Sequence, residues 1–303
     1  LSNGMVLGVA AGLNGALYRI GQDPTFGASV SRMTPTLAVD LRWPWVKSAS
    51  GGHSSQVIEP VLQLVWSDAS NTSVPNEESS LVEFDEGNLF SFSRFPGSDL
   101  YESGLRANIG VNWTRKDPDG WTLGVTAGRV LRSEDLGQFS TGSRLSGTRS
   151  DWLLAMQIRA DNGLSVTNRA LFDDSLEFSK NELRLSFGQQ RYSLAGNYVW
   201  LVADPAEGRP LATSELALDA ALRLSDSWVV TGTGRYDFTA NQAARAGVGL
   251  QFRSECALVD LSLSRRFTSS TSVRPTTELS LSVNLNGFGT GSDGRQYRKS
   301  CGG

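Results

Sequence analysis

An antiparallel, membrane-spanning β-barrel of the outer-membrane type is the fold class this all-β sequence predicts, and three observations predict it. Apolar and polar residues alternate with a period of two through most of the 303 residues, the pattern of strands with one apolar and one polar face. Connections alternate between long and short, as in barrels with tight periplasmic turns and longer extracellular loops. The eight Trp residues fall near predicted strand ends, where aromatic girdles mark the two membrane interfaces.

Taken in chain order, the opening from Met5 to Leu17 is cut by Gly8, Gly12 and Gly15. No stretch reaches the roughly 18 apolar residues of a membrane helix, and a closed barrel satisfies its backbone in lipid without one. Alternation then places Leu37, Val39, Leu41 and Trp43 on one face. The same holds for Leu105, Ala107, Ile109, Val111 and Trp113 and, after the turn Asp117-Pro118-Asp119-Gly120, for Trp121, Leu123, Val125 and Ala127. It recurs in Trp152–Ile158, Tyr192–Trp200, Leu216–Leu222, Trp228–Phe238, Ala246–Phe252, Ala257–Leu263 and Leu279–Leu285. This gives about fourteen strands, mostly near the length that crosses a bilayer. Residues 21–32, 68–100, 133–149, 173–181, 204–213 and 268–276 read as the longer connections, and 117–120, 161–163, 188–191, 225–226 and the region of Ser254 as tight turns. Trp43, Trp45, Trp113, Trp121 and Trp228 are assigned to the periplasmic rim, and Trp66, Trp152 and Trp200 to the other. The competing reading, core tryptophans in a water-soluble β-protein, does not account for the loop parity. The second face, with Arg106, Asn108, Asn112, Gln157, Asp219 and Arg235, would line a hydrated lumen.

Composition removes other functions. One His and two Cys exclude multi-histidine metal sites and zinc ribbons, and no cofactor is expected. A net charge of −3 argues against a nucleic-acid partner. His53, the one imidazole base, lies in the polar loop Ser50–Ser54 on the predicted periplasmic side, away from any outer-leaflet hydrolase site. Gly247-Val248-Gly249 sits inside a strand and opens no phosphate loop. Asp117–Gly120 is a hairpin turn rather than a calcium site. An enzyme is not expected.

Several stretches carry a family resemblance: Val57-Ile58-Glu59-Pro60, Val82-Glu83-Phe84-Asp85, Asn88-Leu89-Phe90, Ser93-Arg94-Phe95-Pro96-Gly97-Ser98-Asp99 and Glu102-Ser103-Gly104-Leu105-Arg106. Their order and spacing resemble the C-terminal barrel region of the lipopolysaccharide-assembly LptD family. Arg32-Met33-Thr34-Pro35, the strand from Cys256 to Arg265-Arg266, and the ending Asn286-Gly287-Phe288-Gly289 also fit. The resemblance implies an outer-membrane translocon of a Gram-negative bacterium that inserts lipopolysaccharide into the outer leaflet through a lateral opening between first and last strands. It implies an LptE-type lipoprotein plug in the lumen and a periplasmic bridge protein, met by an N-terminal domain absent from this sequence. Residues 1–289 would then be the C-terminal portion of the barrel and 290–303 a periplasmic tail. A porin, or a plugged receptor-type channel, is the alternative.

Candidate residues follow from that implication. Cys256 and Cys301 are the disulfide candidates, with Cys256 directed to a cysteine upstream of Leu1; the family pattern has two adjacent cysteines where this chain has Glu255-Cys256. Leu279, Leu281, Val283 and Leu285, outward on the strand 278–288, form one side of the lateral gate. The acidic loop from Asp68 to Glu102 is extracellular or folds over the lumen, a lid that uses Phe84, Leu89, Phe90, Phe92, Arg94 and Phe95. The family's Gly-x-Asp-Arg becomes Gly97-Ser98-Asp99-Leu100. Arg19 and Arg129, lipid-facing and near the extracellular rim, are candidate contacts for lipopolysaccharide phosphates. An Arg at that depth costs only about 0–1 kcal/mol, so snorkelling into the headgroups also accounts for their placement.

Overall fold

The computed structural model describes residues 1, 3–22, 24–27, 29–48, 54–68, 74–79, 81–268 and 274–285. The strands among them are β1 (Val6–Arg19), β2 (Ser29–Arg42), β3 (Trp45–Ser48), β4 (Ser55–Ser67), β5 (Gly104–Asp117), β6 (Trp121–Arg132), β7 (Trp152–Ala160), β8 (Leu164–Phe172), β9 (Phe178–Gly188), β10 (Tyr192–Leu201), β11 (Thr213–Arg223), β12 (Trp228–Asp237), β13 (Gln242–Arg253), β14 (Ala257–Arg266) and β15 (Thr276–Leu285). Neighbours are hydrogen-bonded in chain order, with β3 alone off this path. The fold is all-β and antiparallel. β3 exists because Pro44 has no N–H to offer the ladder. The chain leaves register after Arg42, Trp43 donates to the carbonyl of Pro60 (3.1 Å), and pairing resumes at Trp45↔Ile58.

The chain divides into two compact units. The first comprises Leu1–Ala160, Thr167–Asn181 and Leu201–Leu211. Its ladder runs β1-β2-β4-β5-β6-β7, and its side chains reverse the usual soluble pattern. On β4, Val61, Gln63, Val65 and Ser67 are buried, while Leu62, Leu64 and Trp66 are exposed. On β2, Arg32, Thr34 and Thr36 are buried, while Met33, Leu37 and Val39 are exposed. A face of exposed aliphatic and aromatic residues opposite a buried polar one suits lipid on the outside.

The second unit comprises Asp161–Val166, Glu182–Trp200 and Ala212–Gly303. Its ladder β11–β15 keeps the alternation. Leu218, Leu222, Val248, Leu261, Leu263 and Leu279 stand exposed on one face. The other carries polar pairs such as Gln251 and Asp260, whose amide donates to the carboxylate at 2.7 Å.

Two boundaries differ from the sequence pattern. Residues 29–32 belong to β2 rather than to a long connection, because Ser29–Arg32 pair with Ala16–Arg19. β9 begins at Phe178, so the connection after β8 is shorter than 173–181. In both places polar strand residues hide the alternation. His53 and the segment 286–303 lie outside the described residues.

Candidate functional site: a loop latched onto the polar face of the strands

The long connection between β4 and β5 lies within the first unit. Pro75, Gly87, Pro96 and Gly97 interrupt any strand pattern here. Local turns shape the loop instead. The Asp85 carboxylate accepts the N–H groups of Gly87 (2.9 Å) and Asn88 (3.0 Å), and the Asp85 carbonyl accepts Leu89 N–H (3.0 Å). This turn sends Phe84 and Leu89 into a buried cluster with Val130, Leu145, Leu153 and Leu171.

The strands receive the loop through a dent. Gly110 on β5 is in register with Gly128 on β6. A Cβ at Gly128 would lie 2.4 Å from the Ile109 carbonyl and 2.7 Å from Leu89 Cδ2, and one at Gly110 would lie 3.0 Å from Phe90 Cζ. Glycine at both positions is what lets Leu89 and Phe90 approach the backbone.

Beside this cluster is a charge cluster. Glu102 is wholly buried and takes Arg94 at 2.5 Å, Arg132 at 2.8 Å and Arg106 at 3.8 Å. Arg94 belongs to the loop, Arg106 to β5 and Arg132 to β6, and Arg106 and Arg132 are cross-strand partners. Three guanidiniums around one carboxylate leave excess positive charge, which carbonyl dipoles offset. Arg94 donates to Leu89 O (2.8 Å), Arg132 to Leu145 O (2.7 Å), and Arg106 to Gly104 O (3.1 Å) and Phe92 O. Arg94 also donates to Asn108 (2.6 Å), whose amide donates to Gln63 (2.7 Å). Burial alone would push the Glu102 carboxyl up, but the guanidiniums of Arg94, Arg106 and Arg132 outweigh it and hold the group below the usual carboxylate range. Burial lowers Arg94, and Glu102 opposes that shift.

Further contacts fix the edges of the loop. The Asp99 carboxylate accepts the backbone N–H groups of Glu77, Glu78 and Ser79 (2.8, 2.8 and 3.2 Å) and the Ser79 hydroxyl (2.5 Å). Burial works against its ionised form, yet these donors bring it down to about 2. Arg32 of β2 donates to the carbonyls of Asp99 (2.7 Å) and Ser98 (2.8 Å). Arg169 of β8 clamps Glu86 with two bonds, 2.7 and 2.8 Å. Phe95 stacks on Phe139 of the β6–β7 connection at 4.8 Å.

The lid candidates Phe84, Phe90, Arg94 and Phe95 therefore meet in one assembly. The sequence pattern did not single out Glu102, Arg106 and Arg132 as a group. The signal for it was one acid and two bases on the inward phase of adjoining strand ends. Arg129 faces outward but is buried. It pairs with Asp174 (2.8 Å), donates to Ser150 O (2.5 Å) and lies over the Trp152 ring at 4.8 Å. Arg19 is exposed at the end of β1. Leu279, Leu281, Val283 and Leu285 are exposed on β15 in the second unit. No described cysteine is free; Cys256 precedes β14, and Cys301 lies outside the described residues. Among the described residues no group of His, Cys, Asp and Glu could hold a metal ion. The buried charges at this site are engaged with one another, so its chemistry is mechanical, a means of holding a loop against a wall.

Residues 3–212 match the model of the family LptD, LPS transport system D. The LPS-assembly protein LptD of Sodalis glossinidius is 24% identical over 277 residues, 85% of this chain and 35% of the relative. That of Pectobacterium atrosepticum is 24% identical over 296 residues, 88% and 37%. That of Escherichia coli K12 is 23% identical over 261 residues, 78% and 33%. The chain thus spans about a third of the length of these relatives. Among solved structures, a mutant porin of Rh. blastica is similar over 93% of this chain and 90% of that one, with 12% identity and a TM-score of 0.36, a likeness too slight to argue from.

Proposed function

The chain belongs to the LptD family, LPS transport system D, and from that premise we propose that it is the C-terminal portion of an outer-membrane barrel that delivers lipopolysaccharide into the outer leaflet through a lateral opening. The family is one of transport and assembly, so the chain is not an enzyme. Its place is the outer membrane of a Gram-negative bacterium.

One observation carries the lateral route. The polar face of the first unit is covered by the β4–β5 loop, with Leu89 and Glu102 wholly buried. Cargo released along that face would have to displace a buried ionic cluster, whereas exit between strands would not. The exposed aliphatic row of β15, Leu279, Leu281, Val283 and Leu285, supplies an apolar edge for acyl chains at the gate. Arg19, exposed near the loop-bearing end, is the remaining candidate for phosphate contact; Arg129 already has protein partners. An LptE-type lipoprotein and a periplasmic bridge protein are the partners this reading requires.

A cysteine pair linking β15 to the first strand of the complete barrel tests it. The crosslink should block appearance of lipopolysaccharide at the cell surface, and reduction should restore it. Normal export with the crosslink verified overturns the lateral route. A tag inserted at Ser79 should label on intact cells; labelling only after permeabilisation overturns the extracellular placement of the loop.

A further inference from the structure

We propose that the outward face of the second unit carries a docking groove for an acyl chain of lipopolysaccharide, with a lipid phosphate held by Arg265; this rests on the transport reading above. The groove is open along the surface, holds about 680 Å³ and is lined mostly by apolar atoms, a volume in the usual range for small-molecule sites. Two cross-strand rows build it. One runs Leu218↔Gly234↔Ala246↔Arg265↔Thr277, the other Ala220↔Gly232↔Val248↔Leu263↔Leu279. Small residues in the middle make the floor, and Leu194, Leu218 and Leu263 make the walls.

Gly232 and Gly234 are the telling residues. Glycine in a strand interior weakens the strand and marks a place where something approaches closely. Neither has a positive φ, and a Cβ at either would meet nothing within 4 Å. Neither backbone conformation nor packing within the described chain calls for glycine there. On the inward face of the first unit the same device, Gly110 opposite Gly128, is filled by Phe90 and Leu89. The outward pair has no such occupant among the described residues.

The lining identifies the occupant. Among the described residues its walls are aliphatic, without an aromatic ring, and Arg265 is the one charged residue in the lining. That side chain stands exposed at the end of β14, over the Phe267 ring at 5.3 Å. An apolar trough ending in a guanidinium matches an acyl chain joined to an anionic headgroup, and Arg holds phosphate through paired N–H bonds. The Arg265 end adjoins the longer 267–275 connection rather than the tight turn 254–256. On the proposed orientation that is the outer leaflet, where the phosphorylated, acylated glycolipid is lipopolysaccharide. Both rows end on β15, the gate strand, so the groove lies where a released molecule first meets the outside of the barrel.

The test is photocrosslinking in cells expressing the full-length protein, with the cell's own lipopolysaccharide as probe. A photoreactive residue replacing Val248 should give a lipopolysaccharide adduct, and one replacing Leu222, exposed on the same face outside the groove, should not. Arg265→Gln should reduce the adduct about tenfold, the lower end of what losing a hydrogen bond to a charged group costs. Arg265→Lys should restore part of it, and Gly234→Leu should fill the groove and reduce it comparably. Equal adducts at Val248 and Leu222, no response to either Arg265→Gln or Gly234→Leu, or adducts that mass spectrometry identifies as glycerophospholipid alone overturn the groove. Surface lipopolysaccharide measured on the same cells separates the two ideas. Export that depends on the protein but gives no adduct rejects the groove and keeps the transport reading; export unaffected by depleting the protein rejects the transport reading.

Discussion

Glu102→Gln is the substitution on which the latch depends most sharply. The side chain keeps its size and loses its charge. Glu102 is fully buried, and so, nearly, are Arg94 and Arg106, so water cannot take over as counter-charge. In the native cluster the carboxylate receives Arg94 at 2.5 Å on one oxygen and Arg132 through two N–H groups, 3.1 and 2.8 Å, on the other. Breaking a buried ion pair by removing one partner costs about 3–5 kcal/mol. At about 1.4 kcal/mol per factor of ten, the docked loop should lose at least about a hundredfold in population relative to the released one. The assay is maleimide labelling of Leu89→Cys, a position with no exposed surface, in otherwise native and Glu102→Gln backgrounds, in outer membranes. Labelling should accelerate by about two orders of magnitude, and Glu102→Asp, which keeps the charge, should fall between. A Glu102→Gln protein that is assembled normally and labels within about threefold of its parent would refute the reasoning, because burial and pairing at Glu102 could not then be what holds the loop.

Other perturbations should rank below this one or act through a different contact. Gly128→Val brings a Cβ to 2.4 Å from the Ile109 carbonyl and 2.7 Å from Leu89; overpacking of this kind costs about 1–3 kcal/mol, and both a lower unfolding temperature and faster labelling at Leu89→Cys should report it. Arg169→Gln removes a partly exposed pair with Glu86 worth about 1 kcal/mol or less, so loop labelling should change by less than about tenfold, as competition labelling can measure. Asp99 has a folded pKa depressed to about 2; its contribution is therefore present above the ordinary Asp value and lost as pH falls from about 4 towards 2. Protease cleavage near residues 77–79 should rise across that window, and Asp99→Asn should show the raised cleavage already at pH 7.

Much of the fold was legible because a membrane strand states its two faces in sequence. Leu62, Leu64 and Trp66 against Val61, Gln63, Val65 and Ser67 give phase as well as period. Where both faces are polar or small the message fades. Ser29–Arg32 reads as loop because Arg32 looks solvent-bound, yet it is buried and bonded to the carbonyls of Ser98 and Asp99. The aromatic residues of the loop announce themselves as candidates for burial: Phe84 lies in the buried cluster and Phe90 against the glycine dent. The charged residues do not, because one acid among seven others in the loop has no local mark of being the buried one. What distinguishes Glu102 is position: it stands two residues before β5 and so lies level with Arg106 and, across the ladder, Arg132. That register is set by the hairpin turn at 118–120, at the far end of both strands, and no local motif encodes it.

The composition of the latch bears on whether the loop is a fixed wall or a releasable one. A permanent cover would be held best by apolar packing, since replacing buried ion pairs with hydrophobic residues is often neutral or stabilising. Here apolar and ionic halves lie side by side: Leu89 in its glycine dent, and Arg94 five residues on in the charge cluster. Nor is the cluster saturated, since Arg94 Nε and Arg106 Nε make no hydrogen bond among the described residues, Arg106 Nε lying 3.8 Å from the Glu102 carboxylate. An unsatisfied buried donor costs about 1–3 kcal/mol, recovered when water reaches it on release. Docking is thus specific, because the pairing allows one register of loop on wall. It is also shallower than the contact area suggests, because part of the desolvation is uncompensated. On the transport reading proposed above, a loop held this way stays on the polar face at rest and is released only by a partner that supplies competing contacts. The site of that competition is the Arg94–Glu102 pair, which joins the loop to its own strand entry, rather than the Phe84–Leu89 cluster, which only fills space.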